Sequence, residues 1–437
     1  MPTWSTVRTT LVAAAAVLTV TATAACGTAG PAGAGGSGGL TLWTLENEGI
    51  NGVQQAAVDS FNAGEGPDIA LRTYVNDPYK AALQTAIGSP NAPDIFYNWG
   101  GGNLKGYVDA GQVADLTAAL DAKPEVKDAF LPSVMQVGTI DGKIYGIPMQ
   151  GVQPVSFFYN KDAFAKAGIT AFPTTWQGFL ETIDKLKAAG IQPISLAGSQ
   201  PWTELMYLEY LLDRNGGPDK FQAIADGKPG AWSDPAVITS LTQIKDLVDR
   251  GAFGSNFSAV NYDNQGSQAL LTSGRAAMEL MGSWEVTSLN DNFPDFLKAD
   301  KLGWADFPAV EGGTGDPKNL VGNPSNFYSV AASSKDVAAA TKFLVDNMTS
   351  PAYVKGMIDV GQVPAIKGLD QQVATGQFAA FNQYSYSAVQ KAPTFTQSWD
   401  QALAADVSQS MLTNLSQVFL GSMTPEQFGQ AMDAASK

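Results

Sequence analysis

Apolar residues recur along this chain in two rhythms, and the rhythms alternate. Short apolar runs bounded by Gly, Pro or Asn predict strands at Leu40–Thr44, Ile69–Tyr74 and Asp94–Tyr97. Between them, Val53–Phe61 and Pro78–Ile87 have the spacing of helices, the first closed by Asn62 and Gly64, the second opened by its proline. Strand–helix–strand repetition predicts a parallel sheet with crossover helices. Ile140–Ile144 encloses Asp141-Gly142, which predicts a tight hairpin.

A second block opens with a long strand, Val152–Tyr159. Trp176, Leu180, Ile183 and Leu186 mark a helix, with Thr174 or Thr175 as cap and Gly190 as stop. Further on, Ile194–Leu196 reads as a strand and Trp202–Leu212 as a helix. Ile238, Leu241, Ile244 and Leu247 mark a helix ended by Gly251, and Ala276–Met281 is a strand. Leu302–Phe307 and Tyr328–Ala331 read as strands that rejoin the first block, followed by a helix at Val337–Met348. Pro351–Lys437 is almost wholly helical. The expectation is an α/β body in two lobes, with chain crossings near 150, 305 and 350. No fixed-period repeat is visible.

The first 39 residues follow different rules. Leu11–Val20 is an apolar run preceded by Arg8 and followed by the small residues Thr23-Ala24-Ala25. That pattern predicts a secretory signal peptide over 1–25, too short to span a bilayer stably. Cys26, the one cysteine in the chain, then resembles the acylated cysteine of a bacterial lipobox, although Thr23 stands where Leu or Val is common. Residues 26–39 are a Gly-rich tether, with a reach of roughly 20 Å. Plain secretion is the alternative to lipid anchoring.

Composition narrows the chemistry. Net charge is −15, and without Arg8, the one charged residue of 1–25, it is −16. Such a body repels phosphate backbones, which argues against nucleic acid, and it leaves the lipid anchor as the only membrane contact. Histidine is absent, which excludes His-based triads, His-metal sites and His pH switches. With Cys26 consumed, no thiol nucleophile and no disulfide remain. No metal and no cofactor are expected.

In open parallel sheets ligands bind beyond the carboxyl ends of the strands, so the residues that follow each strand are the candidates. These are Trp43, Glu46, Asn47 and Glu48; Asn98 and Trp99; Gln150; Trp202 and Glu204; Trp284; and Asn323. Aromatics, amides and acids dominate, without a Lys or Arg cluster. That palette suits a neutral polyhydroxylated ligand, whose C–H faces pack on aromatic planes and whose hydroxyls pair with carboxylates and amides. Each tryptophan also has a core reading. Trp176 and Trp304 fall on amphipathic periods and are expected in the core, Trp232 is undecided, and Trp43 and Trp99 have equal claims to core and cleft. Gly100–Gly102 lacks the Lys-Ser/Thr of a phosphate loop and reads as a turn allowing close backbone approach to ligand. Glu46 with Glu48, or Glu204 with Glu285, are conceivable glycosidase pairs, but their separation is invisible in sequence. An enzyme is not expected.

Several segments, in order, resemble the family 1 extracellular solute-binding proteins of bacterial ABC sugar importers, the maltose-binding type. They are Pro93-Asp94-Ile95-Phe96 with GGGNLKGYVDAGQVADLT, then GKIYGIPMQGVQPVSFFYNKDAFAKAGI with PTTWQGFLETIDKLKAAG, then GRAAMELMGSWEV, LGWADFPAVEGG and AATKFLVDNMTSPAYVKGM. The resemblance covers 40–437. It implies a type II periplasmic-binding-protein-like fold with two α/β lobes, a hinge of crossing strands and a C-terminal helical part. The N-terminal lobe would be 40–150 plus 303–350, and the C-terminal lobe 151–302 plus 351–437. It implies a hinge near Gln150-Gly151, sugar-stacking roles for Trp202, Trp284 and Trp399, and hydroxyl contacts from Trp43–Glu48. The expected partners are a sugar or short oligosaccharide and the transmembrane subunits of an ABC permease, with the receptor monomeric, exported and membrane-anchored. Rival readings are a secreted glycoside hydrolase, a binder of a non-sugar solute such as a polyamine, and a sensor subunit for a membrane kinase.

Overall fold

The computed structural model describes residues 39–436. The expected signal peptide, Cys26 and the tether up to residue 38 lie outside the described residues. The first sheet has the strand order Ile69–Tyr74, Leu40–Leu45, Ile95–Asn98, Phe327–Val330, Ile147–Pro148. Its first three strands are parallel, as the alternating rhythm predicts; Phe327–Val330 runs against both of its neighbours, so Ile147–Pro148 runs in the same direction as the first three. Asp94 fixes the entry to this sheet: its carboxylate accepts from the Thr41 N–H at 2.8 Å and the Lys335 N–H at 2.8 Å.

The second sheet is built around Gln153–Asn160. One edge of that strand pairs with Ala276–Gly282, which in turn pairs with Gln192–Ser195. Its other edge is shared: Leu320–Asn323 takes the first half and Leu302–Ala305 the second. Phe395–Gln397 completes the sheet beside Leu320–Asn323. Gly303 stands opposite Tyr159, whose ring occupies the space a side chain at 303 would need.

This pairing corrects two of the expected crossings. Leu302–Ala305 and Leu320–Asn323 belong to the second sheet, so the chain returns to the first at 324–326 and not near 303. The helices Val337–Asn347 and Pro351–Asp359 then pack on the first core through Phe343, Leu344, Tyr353 and Met357, and Val373 is still part of it. The third crossing therefore lies beyond 373, not at 350. The helix Ala379–Lys391 straddles the two cores, with Phe381 in the second and Tyr386 in the first. The first crossing lies between Ile147–Pro148 and Gln153–Asn160.

Local signals account for most helix ends. Thr175, rather than Thr174, caps Trp176–Ala188 by accepting from the Gly178 N–H. Gly190 and Gly251 stop their helices at φ of 72° and 68°, a region glycine enters without strain. The final helix, Pro425–Ala435, opens with a capping box between Thr424 and Gln427. Trp176 and Trp232 are buried in the second core, and Trp304 packs edge-on against Phe381. Among the described residues no helix is long and apolar enough to cross a membrane.

Candidate functional site

A cleft of about 420 Å³ opens between the carboxyl ends of the two sheets. Its first-sheet wall comes from the loop after Leu40–Leu45, carrying Glu46, Asn47 and Glu48, and from Trp99 after Ile95–Asn98. Asn47 has a second duty: its side chain accepts from the Ile50 N–H and caps the helix Glu48–Asn62. Trp99 stands edge-on to Tyr97 at 5.0 Å, with the Lys80 ammonium 5.4 Å over its ring.

The second-sheet wall carries the aromatic shelf. Trp202, near the start of Pro201–Gly216, and Trp284, just before Glu285–Asn292, have ring centroids 6.3 Å apart. Tyr262 meets Trp202 edge-on at 5.4 Å. Its hydroxyl donates to the buried Glu285 carboxylate at 2.9 Å, which fixes the ring. Burial pushes Glu285 up to about 8, against donation from Gln268 and Tyr262.

The floor is a mesh of amides at the chain crossings. Asn326 donates to Gln150 at 3.1 Å and to Gln153 at 2.7 Å, and the Ser325 hydroxyl donates to the Gln150 carbonyl at 2.8 Å. Gln150, Gln153, Asn323 and Asn326 all line the cleft. Val152 N–H donates to the Val363 carbonyl at 2.8 Å, and Tyr353 OH to the Met149 carbonyl at 2.7 Å, so the first crossing is braced from behind.

Of the residues the sequence nominates, the structure brings Glu46, Asn47, Glu48, Trp99, Gln150, Trp202, Trp284 and Asn323 to this cleft. It places Trp43, Asn98, Glu204 and Trp399 elsewhere, for physical reasons. Trp43 packs on Tyr74 at 4.9 Å within the first core. Asn98 donates to Ser329 at 2.8 Å and accepts from the Gly100 N–H at 3.0 Å, so it serves the sheet and its turn. Glu204 is two residues beyond Trp202 on one helix, which points it about 200° away; it is 1% exposed and accepts from Ser416 at 2.6 Å. Trp399 is also 1% exposed. Its ring lies flat on Phe221 at 4.7 Å, and its backbone N–H donates to the Glu209 carboxylate at 2.7 Å. Its neighbours Ser398, Asp400 and Gln401 face the cleft instead. Glu204 and Glu285 are both sealed from the cleft, which removes them as a glycosidase pair.

Gly100–Gly102 also serves protein rather than ligand. A Cβ at Gly102 would sit 2.5 Å from the Ala402 carbonyl, and one at Gly101 would strike the Gln397 side chain. Gln397 donates to the Trp99 carbonyl at 2.7 Å across the same contact.

Sequence reasoning missed Tyr262, Asp263, Ser288 and Asp291. Ser288 and Asp291 follow Trp284 at four and seven residues, a polar stripe at helical spacing that a closer count would have found. Tyr262 and Asp263 lie in a loop without periodicity and gave no such signal. Among the described residues no cluster of three or more acidic residues or cysteines is arranged to hold a metal ion.

Comparison with known proteins gives a consistent result. Residues 43–355 match the model of the bacterial extracellular solute-binding protein family. The multiple sugar-binding protein of Streptococcus mutans is 26% identical over 235 residues, 53% of this chain and 53% of that protein. A probable sugar-binding periplasmic protein of Rhizobium meliloti is 26% identical over 288 residues, 65% of this chain and 64% of that one. The chain thus spans between half and two thirds of these curated relatives. A solved structure from work on xylan utilization by the thermophilic bacterium Caldanaerobius polysaccharolyticus superposes with a TM-score of 0.79 at 28% identity, over 90% of this chain and 99% of that one. A chitin oligosaccharide binding protein does so with 0.79 at 26%, over 91% and 98%. Two sheets, a cleft at their carboxyl ends and a family match across most of the folded body lead to one assignment: the chain belongs to the bacterial extracellular solute-binding proteins.

Proposed function

We propose that this protein captures a sugar or short oligosaccharide in its cleft and delivers it to the transmembrane subunits of an ABC importer. The observation that carries the reading is the pairing of Trp202 with Trp284 on one wall, facing the carboxylates and amides of Glu46–Glu48 and the amide floor on the other. Pyranose faces stack on indole, and hydroxyls pair with acceptors fixed in place. The names of the relatives point the same way.

Mechanistically, ligand contacts both walls only when they are close, so binding shifts the population toward the closed form. The chain crosses between the two cores at only a few places, which makes them the hinge. The closed surface is then what the permease reads. Export with acylation at Cys26 would hold the receptor, as a monomer, at the outer face of the membrane. The protein acts by binding and performs no hydrolysis.

Calorimetry of the purified body against mono- and oligosaccharides tests the reading. Saturable 1:1 binding of an intact saccharide is expected. Turnover of an aryl glycoside or of the oligosaccharide itself, or absence of binding across the panel, would overturn it.

A further inference from the structure

The charge of the cleft is one-sided. Five carboxylates line it (Glu46, Glu48, Asp263, Asp291 and Asp400), and Lys80 is the only lysine or arginine among its lining residues. Lys80 stands over Trp99, and its charge acts on Asp263 and Asp400. It is not among the groups that act on Asp291, which instead faces the like charge of Glu48 from the other wall. The start of the helix Glu48–Asn62 offsets part of this, since the Gly49 N–H donates to Asp291 at 3.1 Å. A helix N-terminus supplies only about half a positive charge against two carboxylates. Closing the cleft thus brings like charges together without a counter-ion, at a cost that an uncharged ligand leaves standing.

The floor is short of donors as well. Asn323 and Asn326 are 8% and 2% exposed, and both line the cleft. The side-chain oxygen of each has no donor within the described residues. A buried acceptor without a donor is expensive, so the floor awaits a donor-bearing ligand. Trp284, Ser288 and Asp291 recur at helical spacing along one face, which sets Asp291 about 10 Å along the axis from Trp284. A saccharide stacked on Trp284 therefore has room for a further ring before its chain reaches the acids.

We propose that the preferred ligand is a saccharide bearing a basic amine, with its ring on the Trp202–Trp284 shelf and its ammonium group facing Glu48 and Asp291. This rests on the saccharide reading above and narrows it.

The test is calorimetry on the purified chain with matched oligosaccharides of one length and linkage: glucosamine oligomers, their N-acetylated forms and the plain glucose oligomers, at a pH where the amine is protonated. The amine form should bind at least about tenfold more tightly than either neutral form. That ratio should shrink between roughly 0.02 and 0.3 M salt, as screening shortens the reach of the carboxylates. Glu48→Gln and Asp291→Asn together should bring the ratio of amine to neutral affinity near one, whatever each variant does to the neutral sugars themselves; Glu48→Gln alone, at an exposed position, should halve the effect on a logarithmic scale. Equal or tighter binding of a neutral oligomer overturns the amine inference and leaves the saccharide reading intact. Spermidine or calcium ion binding in preference to every saccharide overturns both, as does silence across the whole panel.

Discussion

Single residues divide cleanly between the cleft and the core. Trp202 is half-buried beside Trp284 and Tyr262, with an indole N–H that has no acceptor within the described residues. Trp202→Ala should therefore weaken saccharide binding by roughly 1–3 kcal/mol; calorimetry showing unchanged affinity would remove the ring from the site. Trp399 has the opposite profile. Trp399→Ala empties a fully packed position against Phe221 and Trp232 and should cost about 3–5 kcal/mol of stability. Denaturant unfolding should register that loss while the folded fraction binds normally. The two tryptophans look alike in sequence, each in a short polar stretch. Trp202 was legible because it follows a strand end by a few residues. Glu204 was misread by the same argument, which counted residues along the chain and ignored their phase around the helix.

Helices and strands with a local signal were legible almost to the residue: Ile69–Tyr74 is found as predicted, and Trp176–Ala188 starts and stops at its own cap and glycine. What sequence did not disclose was which sheet a strand joins. Leu302–Ala305 and Leu320–Asn323 share one edge of a strand about 150 residues upstream, and nothing in their own pattern says so. The glycines after Ile95–Asn98 were noticed, but the element they make room for, the short helix Trp399–Ala402, lies 300 residues away. Gly102→Val should push that helix from the first wall. Small-angle scattering in saturating ligand should then show a more open molecule, and affinity should drop about tenfold or more. Wild-type compaction in the variant would refute this account.

At the scale of the whole molecule, several glutamates are buried where the neutral form is favoured. Burial pushes Glu204 and Glu209 up to about 7 and Glu285 to about 8, and raises Glu279, which also feels the charge of Glu285. An unfolded glutamate titrates near about 4.3, so the folded state holds these protons more tightly. The stabilisation is full below that value and is lost as pH rises through 7 to 8. Thermal unfolding should give a higher Tm near pH 5.5 than near pH 8.5, and Glu279→Gln should flatten the slope; a Tm that climbs with pH would contradict the assignment. At the other end of the chain, Cys26→Ser should move the protein from the membrane fraction to the medium, as fractionation and blotting would read; retention would argue against acylation. The two-lobed plan was legible because each lobe repeats a strand–helix rhythm of its own. The acid pair under Tyr262 was not, since its members lie on different elements.

Asn326 grips Gln150 and Gln153, tying the second crossing between the two cores to the first, and the same amides form the bottom of the pocket. A solute that settles there pulls on the joint itself. Detection and flexing need no relay between them in this receptor, and a substitution that loosens the stitching should alter the grip on cargo and the swing of the halves in equal measure.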